Sequence, residues 1–195
     1  MRKCILGILL LILTLFLATG CEVEEGILQQ FAGERFGLIM ETDPYTYERS
    51  LETRLINYIR KRFDLQVINP KLLMDDGQYT SRMVEDFCRD ELGLDLLLTI
   101  KLTDIIVNEP KPNLEIRPHR VAVEVSASCS LTLIYTLRDL STDQILYFGQ
   151  SNGSSKATNK VKASEGGVHF DFKEFDPYEL IEDAMFDALR NTELL

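Results

Sequence analysis

The sequence predicts an α+β domain: a two-layer sandwich with three main helices on one face of a mixed, mainly antiparallel five-stranded sheet. Three observations predict it. From Val121 to Asp139 one parity reads Val121, Val123, Val125, Ala127, Cys129, Leu131, Leu133, Tyr135 and Leu137, while the other reads Ala122, Glu124, Ser126, Ser128, Ser130, Thr132, Ile134, Thr136 and Arg138. That is a long strand with one dry face and one wet face, the strand on which the sheet is built. Leu94, Leu96, Leu98, Ile100 and Leu102 repeat the pattern against Asp95, Leu97, Thr99, Lys101 and Thr103. Three further segments carry apolar stripes at helical spacing, which must pack on the dry side. With 195 residues, 45% of them hydrophobic and 27% charged, the chain suits one domain that buries a core without staples.

The amino terminus stands apart. Arg2 and Lys3 precede an apolar run from Ile5 to Ala18, the pattern of an export signal, and the run is shorter than the ~20 residues of a spanning helix. The ending Leu17-Ala18-Thr19-Gly20-Cys21 resembles the bacterial lipobox, which implies that residues 1–20 are a lipoprotein signal peptide and that Cys21 is lipidated, palmitate included, and becomes the new N-terminus. An ordinary cleavage site that happens to precede a cysteine is the alternative. Two or three acyl chains hold a protein on a membrane almost permanently, at ~0.8 kcal/mol per buried methylene. Removing residues 1–20 takes away two of the 21 basic side chains and none of the 31 acidic ones, leaving a net charge of −12. A domain this acidic is repelled by nucleic acid and by anionic headgroups, so nucleic acid is excluded as a partner and the membrane is held through lipid alone.

Residues 21–34 are expected to be a tether and 35–195 the single domain. Arg35 to Glu41 reads as a first strand. Asp43-Pro44 then caps a helix whose stripe is Tyr47, Leu51, Leu55, Ile59 and Phe63, closed by Arg60-Lys61-Arg62, a basic last turn that complements the helix dipole. Leu65 to Ile68 is a short strand, and Asp75-Asp76-Gly77 a break. The second helix runs from Thr80 or Ser81 to Leu92, with Val84, Phe87, Cys88 and Leu92 inward and Gly93 as its stop. Asn108 to Arg120, with Pro110, Pro112 and Pro118, reads as a loop. After the central strand, Leu140 to Gln144 turns the chain and Ile145 to Gln150 returns antiparallel. Ser151 to Gly167 reads as a mobile polar loop, and Val168 to Phe172 as a weakly alternating edge strand. Asp176, Pro177 and Glu179 open a final helix with Leu180, Ile181, Ala184, Met185, Ala188 and Leu189 on one face.

This order, with Leu92-Gly93-Leu94-Asp95 leading into Leu96-Leu97-Leu98-Thr99-Ile100, resembles a group of bacterial envelope domains that includes the amino-terminal domain of TolB, the curli secretion lipoprotein CsgG and the penicillin-binding-protein activator LpoB. The helix from Arg49 to Phe63 before Gln66-Val67-Ile68-Asn69-Pro70, and the run Leu137 to Leu146 with its Asp-Gln turn, extend the similarity over about residues 35 to 190. The resemblance implies a non-catalytic lipoprotein of the cell envelope, on the periplasmic face of the outer membrane, acting through contact with another envelope protein in assembly, secretion or peptidoglycan synthesis. A copy of itself is a further candidate partner. Pore-forming members insert long alternating hairpins, whereas 108–120 and 151–175 are proline-rich or polar, so a channel is not expected. A lipid- or lipopolysaccharide-handling lipoprotein is the rival reading, which an aliphatic pocket would favour.

Residues that could carry chemistry are few. Cys88 and Cys129 sit on apolar faces of a helix and a strand, either bonded across the layers or as two separate buried thiols. His119 and His169 have no partners at metal-ligand spacing, and no phosphate loop, dinucleotide fingerprint or nucleophile elbow appears, so neither a metal nor a cofactor nor catalysis is expected. Phe170, Phe172 and Phe175 either close the core or dock a partner. The wet sheet face, led by Glu124, Ser126, Ser128, Ser130 and Thr132, is the candidate partner surface; plain solvation is its alternative.

Overall fold

A computed structural model describes residues 26–195 apart from 32, 43–47, 64, 75–79, 119, 165–166 and 172–173. The signal sequence, Cys21, the Asp43-Pro44 cap, the Asp75-Asp76-Gly77 break and His119 lie outside the described residues. The chain order is β1 (Arg35–Thr42), α1 (Glu48–Phe63), β2 (Gln66–Ile68), α2 (Ser81–Asp90), β3 (Leu96–Arg117), β4 (Arg120–Asp139), β5 (Gln144–Ser164), β6 (Gly167–Asp171) and α3 (Pro177–Arg190), with short 3-10 turns at Ile27–Phe31 and Pro70–Leu72. The strands lie in the order β2-β1-β3-β4-β5-β6. β1 runs parallel to β2 and β3, and every other pairing is antiparallel. The expected α+β sandwich with three main helices on a mixed sheet is present, and the weakly alternating segment after residue 166 adds a sixth strand.

The capping chemistry read from the sequence forms. Thr80 accepts a bond from the Met83 amide at 3.3 Å, Asp176 accepts one from the Tyr178 amide at 2.9 Å, and Gly93 closes the second helical segment at φ +59°. At the β4–β5 turn the Asp139 carboxylate accepts from the Ser141 hydroxyl and from the Ser141 and Thr142 amides, and these bonds hold its pKa below the ordinary value.

The helices divide between the two faces, which corrects the expectation of a single helical face. α1 and α3 cover Phe36, Leu38, Leu98, Ile100, Leu133 and Leu137, whereas Val84 and Cys88 of α2 pack with Ile39, Leu97 and Leu140 on the other face. The reason is topological. β1 leads through α1 to β2 on one side, and β2 then leads through α2 back past β1 to β3 on the other. Two right-handed crossovers running in opposite directions put their helices on opposite faces. α2 approaches closely because Gly37 carries no side chain: a Cβ there would stand 2.9 Å from Leu97 Cδ1 and 3.2 Å from Cys88 Sγ.

α1 and α3 run side by side and parallel, joined by rungs four residues apart. Ser50 and Tyr178 share a hydroxyl bond of 2.7 Å, Arg54 and Glu182 pair at 3.1 Å, and the Tyr58 and Phe186 rings lie 5.0 Å apart. Beneath α1, the buried Glu52 accepts from the Met40 amide at 2.8 Å and from Asn69 Nδ2 at 2.6 Å, tying the helix to the ends of β1 and β2.

Three further expectations change. Residues 108–120 are not a loop, because β3 continues to Arg117. Pro110 falls between Asn108 and Lys111, where the β3–β4 register shifts, and both prolines lie beyond Leu102, the last β3 residue paired with β1. An open edge and a bulge are the places a strand tolerates proline. Residues 151–167 are not a mobile loop either, since β5 pairs with β4 as far as Ser164. The tether is shorter than 21–34: Ile27 and Leu28 are buried, and their amides bond Glu193 and Leu194 carbonyls at 2.9 and 3.0 Å. Two adjacent apolar side chains are better placed in the core than in water.

α3 seats on β5 through Gly153, where a Cβ would lie 1.9 Å from the Ala184 carbonyl oxygen. Gly153→Val is expected to lower stability by about 3 kcal/mol in urea unfolding, because the clash is with helix backbone. An unchanged midpoint would mean that α3 does not rest there.

Candidate functional site

Beyond the helix-covered body, β3, β4 and β5 run on together as an arm. β1 stops opposite Leu102, and α3 begins near Ser155, whose hydroxyl bonds the Leu180 carbonyl at 2.6 Å. Ala127 is still buried in the cluster that the helices cover, and the part of β4 from Val121 to Val125 projects beyond it by roughly 15 Å at ~3.3 Å per residue. β6 lines the outer side of β5 here, pairing Lys160 to Ser164.

The five residues singled out on the wet face stand on one side of β4 in the expected order. Glu124 lies between Asn113 and Lys160 and pairs with the Lys160 ammonium at 3.2 Å. Ser126 lies between Lys111 and Thr158. Ser128 accepts from Asn108 Nδ2 at 3.2 Å, and Thr132 donates to Asn152 Oδ1 at 3.1 Å. Ser130, the exposed member, lies between Ile106 and Ser154. The result is a polar ladder on the arm that continues over the open middle of the sheet to the exposed Phe148.

Sequence reasoning missed the other side of the arm. There the rows are Pro112 beside Val125, Leu114 beside Val123 and Ile116 beside Val121. Leu114 is 59% exposed and Ile116 71%. The period-2 pattern of Lys111-Pro112-Asn113-Leu114-Glu115-Ile116-Arg117 carried the signal, masked by its prolines. On β3 this apolar alternation covers five residues, Pro112 to Ile116, short of the ~9–11 of a strand that crosses a bilayer. Among the described residues no helix is long and apolar enough to cross a membrane, and no group of three or more His, Cys, Asp or Glu could hold a metal ion.

Cys88 and Cys129 are free and buried in clusters on opposite faces of the sheet, so the disulfide reading gives way to two separate thiols. Burial, reinforced by the Glu85 carboxylate, pushes the Cys88 pKa up to about 11, and burial raises that of Cys129. Of the three aromatics, Phe175 packs against the core, while Phe172 and the Phe170 side chain lie outside the described residues. A groove of about 460 Å³ lies between Tyr58, Phe186, Asp183 and Arg190 of the helices and Ser154, Ser155 and Lys156 of β5. Its lining is polar and aromatic.

Among solved structures the chain is similar to lipoprotein GNA1162 from Neisseria meningitidis, with 10% identity over 82% of this chain and 99% of that one and a TM-score of 0.39. It is similar to the LpoB C-terminal domain from Salmonella enterica, with 12% identity over 67% and 97% and a TM-score of 0.37. It is also similar to the PelC dodecamer from Paraburkholderia phytofirmans, with 9% identity over 81% and 87% and a TM-score of 0.35. No protein-family model and no curated protein matches the sequence.

The thiolate is the reactive form of cysteine, so raised pKa values and burial both protect these two. In a chain carrying Cys4→Ser and Cys21→Ser, neither thiol should react with a chromogenic disulfide reagent at mildly alkaline pH until denaturant is added. Fast reaction of either in the native protein would contradict its burial.

Proposed function

We propose that the chain is an envelope lipoprotein, held by lipid on Cys21 at the periplasmic face of the outer membrane, that acts without catalysis by protein contact in envelope assembly, secretion or peptidoglycan synthesis. The single observation that carries this reading is the polarity of the molecule. The amino-terminal segment packs at one end, where Ile27 and Leu28 bond the last residues and the Tyr147 hydroxyl bonds Gln30 at 3.2 Å. Tyr147 pairs with Leu137 near one end of β4, and the arm's tip follows the other. Sixteen residues of strand separate Leu137 from Val121, roughly 50 Å. Cys21 is five residues from Gly26, a reach of about 17 Å at most.

A domain anchored so closely at its base carries its arm away from the anchor and toward other components of the envelope. The polar ladder from Glu124 to Thr132 is suited to contact with a protein: hydroxyls and a Glu–Lys pair make directional bonds without demanding a deep pocket. Among the described residues nothing pairs with the outer edge of β3 beyond Leu102, which adds a second means of contact, addition of a partner strand.

The test is photocrosslinking in intact cells from a photoreactive residue at Ser128, compared between the wild type and a Cys21→Ala variant. The expected result is one defined envelope protein captured by the wild type, and loss of both capture and membrane fractionation in the variant. Membrane fractionation unchanged by Cys21→Ala would overturn the anchor, and capture of lipid alone would overturn the contact role.

A further inference from the structure

The charges of the chain are unevenly placed. Residues 105–127 with 156–171 hold six basic and five acidic side chains, whereas the rest of the chain from Cys21 on holds 13 basic against 26 acidic. All six basic residues occupy the register positions of the polar ladder. Lys111 stands opposite Ser126, Lys156 opposite Ser128, Lys160 opposite Glu124 and Lys162 opposite Ala122, and Arg117 and Arg120 stand opposite each other. Of the acidic residues only Glu115, Glu124 and Asp171 share those positions. Six against three makes this face basic on a chain whose net charge is −10.

We propose that the polar ladder, centred on Lys111, Lys156 and Lys160, docks an acidic surface of a partner protein. The inference deepens the contact role proposed above and rests on it. The three lysines are exposed and surround the row of Lys111, Ser126 and Thr158, with backbone positions roughly 12–13 Å apart. Lys160 is held by Glu124 at 3.2 Å, whereas Lys111 and Lys156 have no ion pair among the described residues. Between them Ser126, Ser128 and Thr158 supply hydroxyls able to donate to carboxylate oxygens. α2 rests at Ile39, Leu97 and Leu140, toward the other end of the sheet, so no described element covers the lysines.

Three features select an acidic protein surface as the occupant. The first is sign. An acidic partner is repelled by the rest of the chain and attracted here, which fixes where it docks before contact is made. The second is spread. The Debye length at physiological ionic strength is about 8 Å, shorter than the spacing of the lysines, so each ammonium needs its own carboxylate and a single acidic residue does not suffice. A small anion would need a concave site, whereas a flat face three strands wide suits a broad polar contact. The third is position. In the anchored molecule the headgroups of the membrane lie beyond Ile27 and Leu28 at the other end, out of reach of these lysines.

The test uses the full lipoprotein in intact cells with the photoreactive residue at Ser128. Capture is compared between the otherwise wild-type chain, Lys111→Glu with Lys156→Glu, Lys111→Arg with Lys156→Arg, and Lys61→Glu on the exposed surface of α1. The charge-reversed pair should lower the yield of the captured protein by about tenfold, while the arginine pair and Lys61→Glu keep it within about twofold. Equal amounts of every variant in the membrane fraction show that each one folds and is anchored. The captured segment should be acidic, and replacing its carboxylates by lysine should restore capture by the reversed pair. Undiminished capture by the reversed pair, or a captured segment without an acidic cluster, would overturn the inference and leave the contact role standing. A loss as large in the arginine pair or in Lys61→Glu would overturn it too, because the loss would not follow the sign of the charge at this face. No captured protein even with the wild type would overturn the contact role and this inference with it.

Discussion

β4 is hydrogen-bonded on both edges from Arg120 to Asp139, and that constraint organises the rest of the structure. A strand so long cannot be covered along its whole length by helices of 14 and 16 residues, which rise only ~1.5 Å per residue against ~3.3 Å for the strand. The helices cover the end nearer Asp139, and the other end becomes an arm. The same mismatch fixes what each face of the arm presents, because the alternation that buries Leu131, Leu133 and Leu137 beneath the helices continues as Val125, Val123 and Val121 where the helices have stopped.

Much of this was legible. The unbroken alternation of β4, the caps at Thr80 and Asp176 and the buried stripe of α3 were read correctly because each rests on local chemistry that tertiary context does not override. The arm was obscured for two local reasons. Pro110 and Pro112 argue against a strand only if its outer edge is paired, and among the described residues nothing pairs with that edge beyond Leu102. Ser151 to Ser164 has weak strand propensity, but pairing with β4 decides its conformation, and the bare backbone at Gly153 serves as a seat for α3. The placement of α2 was hidden by a rule applied to the wrong part of the sheet. Phe36-Gly37-Leu38-Ile39-Met40 and Leu96-Leu97-Leu98 are continuous apolar runs, the mark of parallel strands buried on both faces, and only β4 and β5 carry the open wet face.

The candidate surface was half legible for the same reason. Glu124, Ser126, Ser128, Ser130 and Thr132 could be assigned to one face from parity alone. Their cross-strand partners Asn108, Lys111 and Asn152 could not, because they come from segments that read as loops. The apolar rows of the opposite face became visible only when β3 was seen to continue. The molecule thus divides along one axis: a base where Ile27 and Leu28 meet the last residues of the chain, a body stabilised by two clusters on opposite faces, and a two-sided arm that presents hydroxyls on one side and aliphatic side chains on the other.

The central claim is that the arm is an ordered ribbon continuing β3, β4 and β5 away from the end at which Ile27 and Leu28 pack. It is tested most directly by electron spin resonance distance measurement between nitroxide labels at Ile145, near the base, and Leu114, on the arm. Their partners on β4 are Arg138 and Val123, so the account predicts a single narrow distribution at roughly 45–50 Å. A broad distribution centred well below that distance would mean that residues 108–120 are the loop their prolines suggest, and would contradict the account.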